Sequence, residues 1–306
     1  MRVCVVGAGA VGSLFAAHLA QVEAVEVWAY DTSHPHVDAI NERGLRLIGE
    51  ADLVAEVRAT AYAAELPACE FGIVATKSMF TGDAITEAAH AFRDGAVASV
   101  QNGVGNEETI AEHVERVIRG TTFPAGRLVE PGVVYMDTRG DTWLGPFEPR
   151  PASMDEVTRL AEAITAGGMN TKALSDARGA QWTKLIFNAA TNPVGALTQL
   201  THGRVVELAE TRRLVSQLVA EGTAVADALG ITLDSDPDEL VDHAAEVAYE
   251  HRASMLQDVL AERPTEIDAL NGGIVRFGHE QNVPTPLNEA IVALIRGLEY
   301  SWRQPR

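Results

Sequence analysis

Three glycines follow the first apolar run of the chain at the spacing G-x-G-x-x-G, and a helical pattern begins directly after them. The turn consists of Gly7, Ala8, Gly9, Ala10, Val11 and Gly12. In such a turn Gly7 allows the tight reversal, Gly9 lets the backbone approach a pyrophosphate, and Gly12 lets the helix pack close to the strand. Free N–H groups and the dipole at the helix N-terminus bind phosphates. The segment therefore predicts a dinucleotide site.

An acidic residue follows the second apolar run. Asp31 stands nineteen residues after Gly12. A carboxylate there accepts hydrogen bonds from the adenosine ribose hydroxyls and repels a 2′-phosphate, which favours NAD(H) and leaves NADP(H) as the alternative. Asp31 could also cap a helix over His36–Asn41, and both roles could hold together.

A polar stripe lies in the apolar segment Thr183–Pro193. Lys184, Asn188 and Asn192 follow one another at steps of four, which places them near one face of a helix. Buried polar groups need partners, so the stripe either forms an internal hydrogen-bond network or lines a polar cleft.

Further polar residues follow near the C-terminus. Ser254 and Asp258 are again four residues apart, and Glu266 follows. Taken alone, Glu266 is more typical of a solvated or helix-capping acid than of a catalytic one. Spacing alone does not pair it with Lys184.

The elements around these residues change type along the chain. Up to about Leu174, short β-branched runs alternate with helical patterns, which predicts a parallel sheet with crossover helices in residues 1–174. The exception is Val133–Tyr135 and Thr142–Leu144, where the turn Thr138–Asp141 predicts an antiparallel hairpin at the sheet edge.

From residue 175 to 306 the pattern is helical, which predicts a second, all-α domain. One helix contains Leu214 and Leu229 and stops at Gly230. The expected helices after it are Pro237 to about Leu260, Glu266–His279 and Leu287–Tyr300.

Composition excludes several classes of function. The net charge of −19 opposes nucleic acid binding. Cys4 and Cys69 lie in apolar runs, which suits a reduced, cytoplasmic location, and no segment resembles a membrane span. The histidines form no metal-binding pattern, so no metal is expected, and no G-x-S-x-G motif indicates a hydrolase.

Along essentially its full length the chain resembles the ketopantoate reductases (2-dehydropantoate 2-reductases). The matching segments are Gly7–Gly12, Ala75–Lys77, Gln101–Gly103, Lys184–Pro193, Ser254–Asp258, Thr265–Asp268 and Asn271–Gly272. The resemblance implies a Rossmann domain followed by a helical domain of the 6-phosphogluconate dehydrogenase-like type. It also implies that NAD(P)H and a 2-oxo acid, 2-dehydropantoate, meet in the cleft between the two domains and yield pantoate, a step of pantothenate and coenzyme A biosynthesis.

The resemblance also implies roles for individual residues. Lys184 matches the catalytic lysine, which would stabilise the developing alkoxide and supply its proton. Glu266 matches an active-site glutamate that holds the lysine or a substrate hydroxyl. Asn102 matches an asparagine beside the nicotinamide and the lysine. The remaining matches are substrate-binding positions (Asn188, Asn192 and Ser254) and a cofactor-side lysine (Lys77), which could equally be a solvated loop charge.

Two departures from the family pattern leave alternatives open. Many members have a basic residue at the position of Asp31, so this chain is expected to favour NADH. His202 stands where some members place a substrate-contacting asparagine, so another branched or hydroxylated 2-oxo acid is a second hypothesis. A non-catalytic NAD(H) sensor is a third, although retention of Lys184, Asn102 and Glu266 argues against it. A homodimer is compatible with the sequence, which does not fix the oligomeric state.

Overall fold

The computed structural model describes residues 1–303. The chain divides into two compact units: unit 1 contains Met1–Gln101 and Asn106–Ala177, and unit 2 contains Asn102–Gly105 and the chain from Arg178 onward. The main boundary between the units, between Ala177 and Arg178, falls three residues after the boundary at 174/175 expected from the sequence. The four residues Asn102–Gly105 join the helical unit, although they lie in the α/β half of the sequence.

Unit 1 is built on an eight-stranded sheet in the order β12-β11-β8-β7-β6-β1-β2-β5. Its strands are β1 (Arg2–Val6), β2 (Glu26–Tyr30), β5 (Arg58–Thr60), β6 (Phe71–Val74), β7 (Ala96–Ser99), β8 (Val117–Thr122), β11 (Thr142–Pro146) and β12 (Thr171–Ala173). The six neighbouring strands β5, β2, β1, β6, β7 and β8 are parallel, as predicted, whereas β11 runs antiparallel to β8.

Helices cover both faces of this sheet. They are α1 (Ala10–Leu19), α2 (His34–Arg43), α3 (Thr81–Ala88), α4 (Asn106–Ala111) and α5 (Met154–Ala166). Along β1, Val3 and Val5 pack into one buried cluster, and Cys4 and Val6 pack into another. This alternation follows from the period of two of a strand and explains why β1 is apolar throughout.

The predicted hairpin across Thr138–Asp141 is wrong. A second, four-stranded sheet has the order β4-β3-β10-β9 and contains β3 (Leu45–Gly49), β4 (Leu53–Ala55), β9 (Ala125–Glu130) and β10 (Val133–Thr138). Thus β10 pairs with β9, while β11 lies in the eight-stranded sheet. The tight turn is Pro131-Gly132, where Gly132 has φ +78, a conformation that favours glycine.

Unit 2 is helical, as predicted. Its helices are α6 (Arg178–Thr198), α7 (His202–Glu207), α8 (Ala209–Ala228), α9 (Pro237–Val247), α10 (Ser254–Leu260), α11 (Asn271–Gln281) and α12 (Pro286–Ser301). Gly230 adopts φ +66 just after α8, which confirms it as the stop of that helix.

The single helix predicted from Pro237 to Leu260 is in fact two, α9 and α10. The connecting residues use their carbonyl groups elsewhere: Tyr249 accepts a hydrogen bond from the N–H of Gly203, and His251 accepts one from the N–H of His202. These bonds satisfy N–H groups at the start of α7 that have no partner within that helix.

The helix predicted from Glu266 begins only at Asn271. The carbonyl of Ala269 accepts a hydrogen bond of 3.0 Å from the N–H of Val104, so it is not part of a helical ladder. Residues 266–270 form a turn instead, and this turn is the surface on which segment 102–105 packs.

Pro193 lies inside α6 and cannot donate a hydrogen bond to the carbonyl of Ala189. The side chain of Asn271 replaces that donor, since its Nδ2 lies 2.8 Å from the Ala189 carbonyl oxygen and 2.9 Å from Oδ1 of Asn288. Because this pairing satisfies the freed carbonyl, α6 continues past the proline, and its polar stripe remains on one face.

Candidate active site

The glycine turn joins β1 to α1 at the carboxyl edge of the large sheet. Gly7 has φ +88, and a Cβ there would lie 2.6 Å from Cγ2 of Thr76. A Cβ on Gly12 would lie 1.9 Å from the carbonyl oxygen of Gly7. Both positions therefore require glycine because of contacts inside the protein itself.

Gly9 differs from the other two glycines. A Cβ built on it meets no atom within 4 Å, so packing does not require a glycine there. Gly9 is the N-cap of α1 and provides no side chain to cap the helix. Open space and uncapped N–H groups, including those of Ala10 and Val11, fit the close approach of a pyrophosphate. The hydroxyl of Ser13 in α1 donates a hydrogen bond to the carbonyl of Ala8, which holds the turn against the helix.

Asp31 directly follows β2 and lies at the same edge of the sheet. Its N–H donates to the carbonyl of Thr60, and its Oδ1 accepts a hydrogen bond of 2.9 Å from the N–H of Ser33. Ser33, not Asp31, is the N-cap of α2. The carboxylate thus shapes the loop before α2 and is half-buried.

The next two sheet tips also end in polar residues. Lys77 is half-buried and precedes a 3₁₀ turn at Ser78–Phe80. Gln101 follows β7 and is buried, and its Nε2 donates to the carbonyl of Thr76 and to the hydroxyl of Thr81. Gln101 therefore fixes the loop after β6, which the turn at Gly7 contacts through Thr76.

Asn102 stands in the short segment that belongs to unit 2. Gly103 has φ +83, and a Cβ there would lie 2.5 Å from the carbonyl oxygen of Ala269. The Val104 N–H donates to that same carbonyl, and Nε2 of Gln181 lies 3.5 Å from the carbonyl oxygen of Gly103. The backbone is thus held closely enough against residues 266–270 and α6 to fix the direction of Asn102.

The structure brings together three residues that are far apart in sequence. Asn102 accepts a hydrogen bond from Nζ of Lys184 at Oδ1 (2.9 Å) and donates from Nδ2 to Oε2 of Glu266 (3.2 Å). An amide has a donor and an acceptor, so Asn102 links the ammonium to the carboxylate. This arrangement leaves both charges compensated.

The environment changes the acidity of Lys184. Burial lowers its pKa from 10.5 to about 8, although the carboxylate of Glu266 opposes the change and raises the pKa. A lysine with this pKa is mainly charged at neutral pH and gives up its proton readily, so it is suited to donate a proton to an oxygen that becomes negative.

The other predicted substrate residues differ in exposure. Asn188 and Asn192 are buried on α6, and Oδ1 of Asn192 lies 3.4 Å from the hydroxyl of Thr191. Ser254 is exposed and is the first residue of α10. Hydrogen bonds thus join Lys184, Asn102 and Glu266. The roles of Asn188, Asn192 and Ser254 stay predictions.

An aromatic stack that the sequence did not indicate lies on the side of α6 that contains Lys184. The ring of Phe187 lies parallel to that of His202 at 5.9 Å, and His202 lies 5.3 Å from His251. Burial and the nearby His251 lower the pKa of His202 to about 4, so its ring is neutral at ordinary pH. The sequence signal for Phe187 was that it follows Lys184 by three residues, which places both near one face of a helix.

A small cavity of about 10 Å³ lies beside this stack. Its polar lining residues are Thr191 and His202. The other lining residues are Gly195, Leu200, Val205, Val206, Val241 and Ala253. Thr191 and Gly195 continue the face of α6 that contains Lys184, since they follow it by seven and eleven residues.

Two kinds of feature are absent from the described part of the chain. Within residues 1–303 no group of three or more His, Cys, Asp or Glu side chains could hold a metal ion. In the same residues no helix combines the length and the apolar character needed to cross a membrane.

Comparison with protein families gives two adjoining matches. Residues 3–149 match "Ketopantoate reductase PanE/ApbA", and residues 176–299 match "Ketopantoate reductase PanE/ApbA C terminal". The first match includes the glycine turn and Asn102. The second includes Lys184 and Glu266.

Individual relatives match over nearly the whole chain. A 2-dehydropantoate 2-reductase of Pyrococcus horikoshii is 35% identical over 302 residues, which cover 98% of each chain. A PanE/ApbA family ketopantoate reductase of Ralstonia eutropha superimposes with a TM-score of 0.89 at 31% identity, covering 99% of this chain and all of the other.

A D-mandelate dehydrogenase in complex with NADH and anilino(oxo)acetate superimposes with a TM-score of 0.88 at 26% identity, covering 98% of this chain and 99% of the other. The fold therefore also occurs in an enzyme named for an aromatic hydroxy acid. Together with the family matches, the structures of that enzyme with NADH support binding of a nicotinamide dinucleotide. The two family matches and the 35% identity to a 2-dehydropantoate 2-reductase show that this chain belongs to the ketopantoate reductase PanE/ApbA family.

Proposed function

We propose that this chain reduces the C2 carbonyl of 2-dehydropantoate to the secondary alcohol of pantoate, with NADH as the preferred reductant. The observation that supports this proposal most directly is the chain of hydrogen bonds Lys184–Asn102–Glu266. It places a proton donor of lowered pKa next to a fixed amide and a carboxylate. Carbonyl reduction needs such a donor because the oxygen gains negative charge as the hydride arrives.

Each member of the network has a defined task in this proposal. Lys184 hydrogen-bonds to the carbonyl oxygen, stabilises the developing alkoxide and transfers its proton to that oxygen. Asn102 holds the Nζ group of Lys184 in position through its Oδ1. Glu266 holds the amide of Asn102 and favours the charged form of Lys184, which solvent reprotonates after each turnover. The amides of Asn188 and Asn192 and the hydroxyl of Ser254 are assigned to the substrate carboxylate and hydroxyl.

The residues of unit 1 fit a dinucleotide. The open space at Gly9 and the N–H groups of Ala10 and Val11 suit the pyrophosphate, and Lys77 is assigned to the cofactor side. Asp31 would accept hydrogen bonds from the adenosine ribose and repel a 2′-phosphate, which favours NADH over NADPH. When bound, the reduced nicotinamide supplies the hydride to C2. In this proposal residues 1–174 form the dinucleotide-binding domain, and residues 175–306 form the substrate and catalytic domain.

A second candidate is the reduction of 2-oxo acids that have an apolar or aromatic group in place of the hydroxyl-bearing one. The observation that favours it is the stack of Phe187, His202 and His251. The similarity to D-mandelate dehydrogenase supports the same class of substrate. A neutral imidazole can accept or donate a hydrogen bond and can also stack, so His202 is compatible with both candidates.

The test follows the oxidation of NADH and of NADPH by absorbance in wild type and in Lys184→Ala. We expect kcat with ketopantoate to fall about 10³-fold, within the range for loss of a general acid. Lys172→Ala is the matched control, because Lys172 is an exposed lysine that pairs with Asp141 and should leave the rate unchanged. Equal rates in wild type and Lys184→Ala would refute the mechanism.

The substrate is tested with three 2-oxo acids: ketopantoate, its analogue that lacks only the C4 hydroxyl, and phenylglyoxylate. The first proposal predicts the highest kcat/KM for ketopantoate, whereas the second candidate predicts a higher value for one of the other two. Absence of turnover with every 2-oxo acid would favour the NAD(H) sensor. The homodimer and the cytoplasmic location stay predictions, of which the first is measured by light scattering.

A further inference from the structure

Two exposed aromatic rings meet at the carboxyl edge of the large sheet, close to Asp31 in the chain. The ring centroids of His34 and Tyr62 are 5.5 Å apart, and the planes are inclined by 58°. Tyr62 is 60% exposed although tyrosines usually bury most of their ring. The function proposed above does not account for this pair.

The backbone places the pair beside Asp31. Strands β2 and β5 are parallel neighbours, with Tyr30 paired to Thr60, so Asp31 and Tyr62 leave the sheet at adjacent tips. The N–H of Asp31 donates to the carbonyl of Thr60 (3.2 Å), and the N–H of Tyr62 donates to the Thr60 hydroxyl (3.0 Å). The bond from the Ser33 N–H to Asp31 sets the loop that leads to His34.

The position of the rings matches the expected course of a dinucleotide. With the pyrophosphate at Gly9 and the ribose hydroxyls at Asp31, the base attached to that ribose lies beyond Asp31, on the side away from the glycine turn. The tips of β2 and β5 are on that side. We propose that Tyr62 and His34 form a stacking platform for the adenine ring of the dinucleotide; this inference rests on the dinucleotide site proposed above.

The charges around the platform suit adenosine without a 2′-phosphate. The hydroxyl of Thr60 donates to Glu65, so a second carboxylate lies beside the segment that positions Tyr62. Neither residues 31–36 nor residues 60–66 include Lys or Arg. A flat, uncharged base can stack on the Tyr62 ring with the inclined His34 ring at its edge, whereas the acidic side chains of these two segments, Asp31 and Glu65, would repel a 2′-phosphate on the ribose.

The experiment compares two reduced nicotinamides, NADH and nicotinamide mononucleotide (NMNH), which lacks the adenosine. Dissociation constants are measured by fluorescence titration for wild type, Tyr62→Leu and Tyr62→Phe. We expect Tyr62→Leu to weaken NADH binding about tenfold, as for loss of a base stacked on an aromatic ring. Tyr62→Phe keeps the stacking and should bind NADH as wild type does, and NMNH should bind all three proteins equally.

Tyr300→Leu is the matched control, because Tyr300 is 64% exposed and lies on α12 of unit 2; it should bind NADH as wild type does. Thermal unfolding of each variant verifies that it folds. Should Tyr62→Leu not fold, nuclear Overhauser effects between the adenine protons and the Tyr62 ring in wild type provide the same test, and we expect to observe them.

Unchanged NADH binding in Tyr62→Leu, equal weakening for NADH and NMNH, or absence of the Overhauser effects would each overturn the platform. These outcomes are distinct from failure of the proposed reaction. That reaction is judged by turnover of 2-oxo acids, whereas binding of NADH and NMNH is measured without a 2-oxo acid.

Discussion

The glycine turn of unit 1 and the lysine network of unit 2 obtain their geometry from very different lengths of chain. Gly7 and Gly12 are five residues apart, and the conflict that makes Gly12 obligatory is with the carbonyl of Gly7 itself. In the network, Asn102 and Lys184 are separated by 82 residues, and Asn102 and Glu266 by 164. A local motif can be evaluated from its own sequence, whereas a long-range network depends on how distant segments pack.

This difference decides how much could be predicted. The strand, turn and helix around Gly9 followed from spacing and steric rules, and the structure confirms the strand β1, the start of α1 and the conformation of Gly7. The polar stripe on α6 was equally local. By contrast, only the resemblance to a family paired Lys184 with Glu266, because spacing along a chain does not report distance in space.

The predictions of strand pairing and helix bounds that proved wrong also concern contacts between distant segments. Val133–Tyr135 and Thr142–Leu144 are strands, as the pattern indicated, but they belong to different sheets, since strand pairing is a tertiary property. The break between α9 and α10 depends on carbonyls that serve α7, and the late start of α11 depends on Val104. No local propensity reports such partners. The stack of Phe187, His202 and His251 was missed for the same reason.

The largest effect is expected where the glycine turn meets its own backbone. Gly12→Ala places a Cβ against the Gly7 carbonyl, and we expect a loss of about 3 kcal/mol or more of unfolding free energy. Gly9→Ala is the matched variant, because its Cβ meets no atom within 4 Å. It should fold normally and lose NADH affinity, as measured by denaturant unfolding and by titration. Equal stability of Gly12→Ala and wild type would show that the Gly7 carbonyl does not exclude a side chain at position 12.

The long-range network should be sensitive in rate and not in folding. Asn102→Ala removes the amide that orients Lys184, and we expect kcat to fall about 100-fold with little change in unfolding temperature. Asn170→Ala is the control, because exposed Asn170 also donates to a carboxylate, that of Asp141. A variant Asn102→Ala that keeps the wild-type kcat would show that the network does not position the lysine.

A smaller effect is expected at Asp31. Asp31→Asn removes the charge that repels a 2′-phosphate, so the ratio of kcat/KM for NADH to that for NADPH should fall about tenfold. Asp38→Asn, on the exposed side of α2, should leave the ratio unchanged. If wild type prefers NADPH, the role assigned to Asp31 is wrong.

The most direct test of the central claim is the pH dependence of kcat/KM for ketopantoate, which reports the pKa of the essential acid in the free protein. The pKa of Lys184 is lowered to about 8, and the protonated lysine is the active form. Activity should therefore be constant below that pH and fall above it. Because Glu266 raises this pKa, the fall should begin at lower pH in Glu266→Gln. A fall that begins only near the ordinary pKa of lysine, or at the same pH in both proteins, would contradict the account.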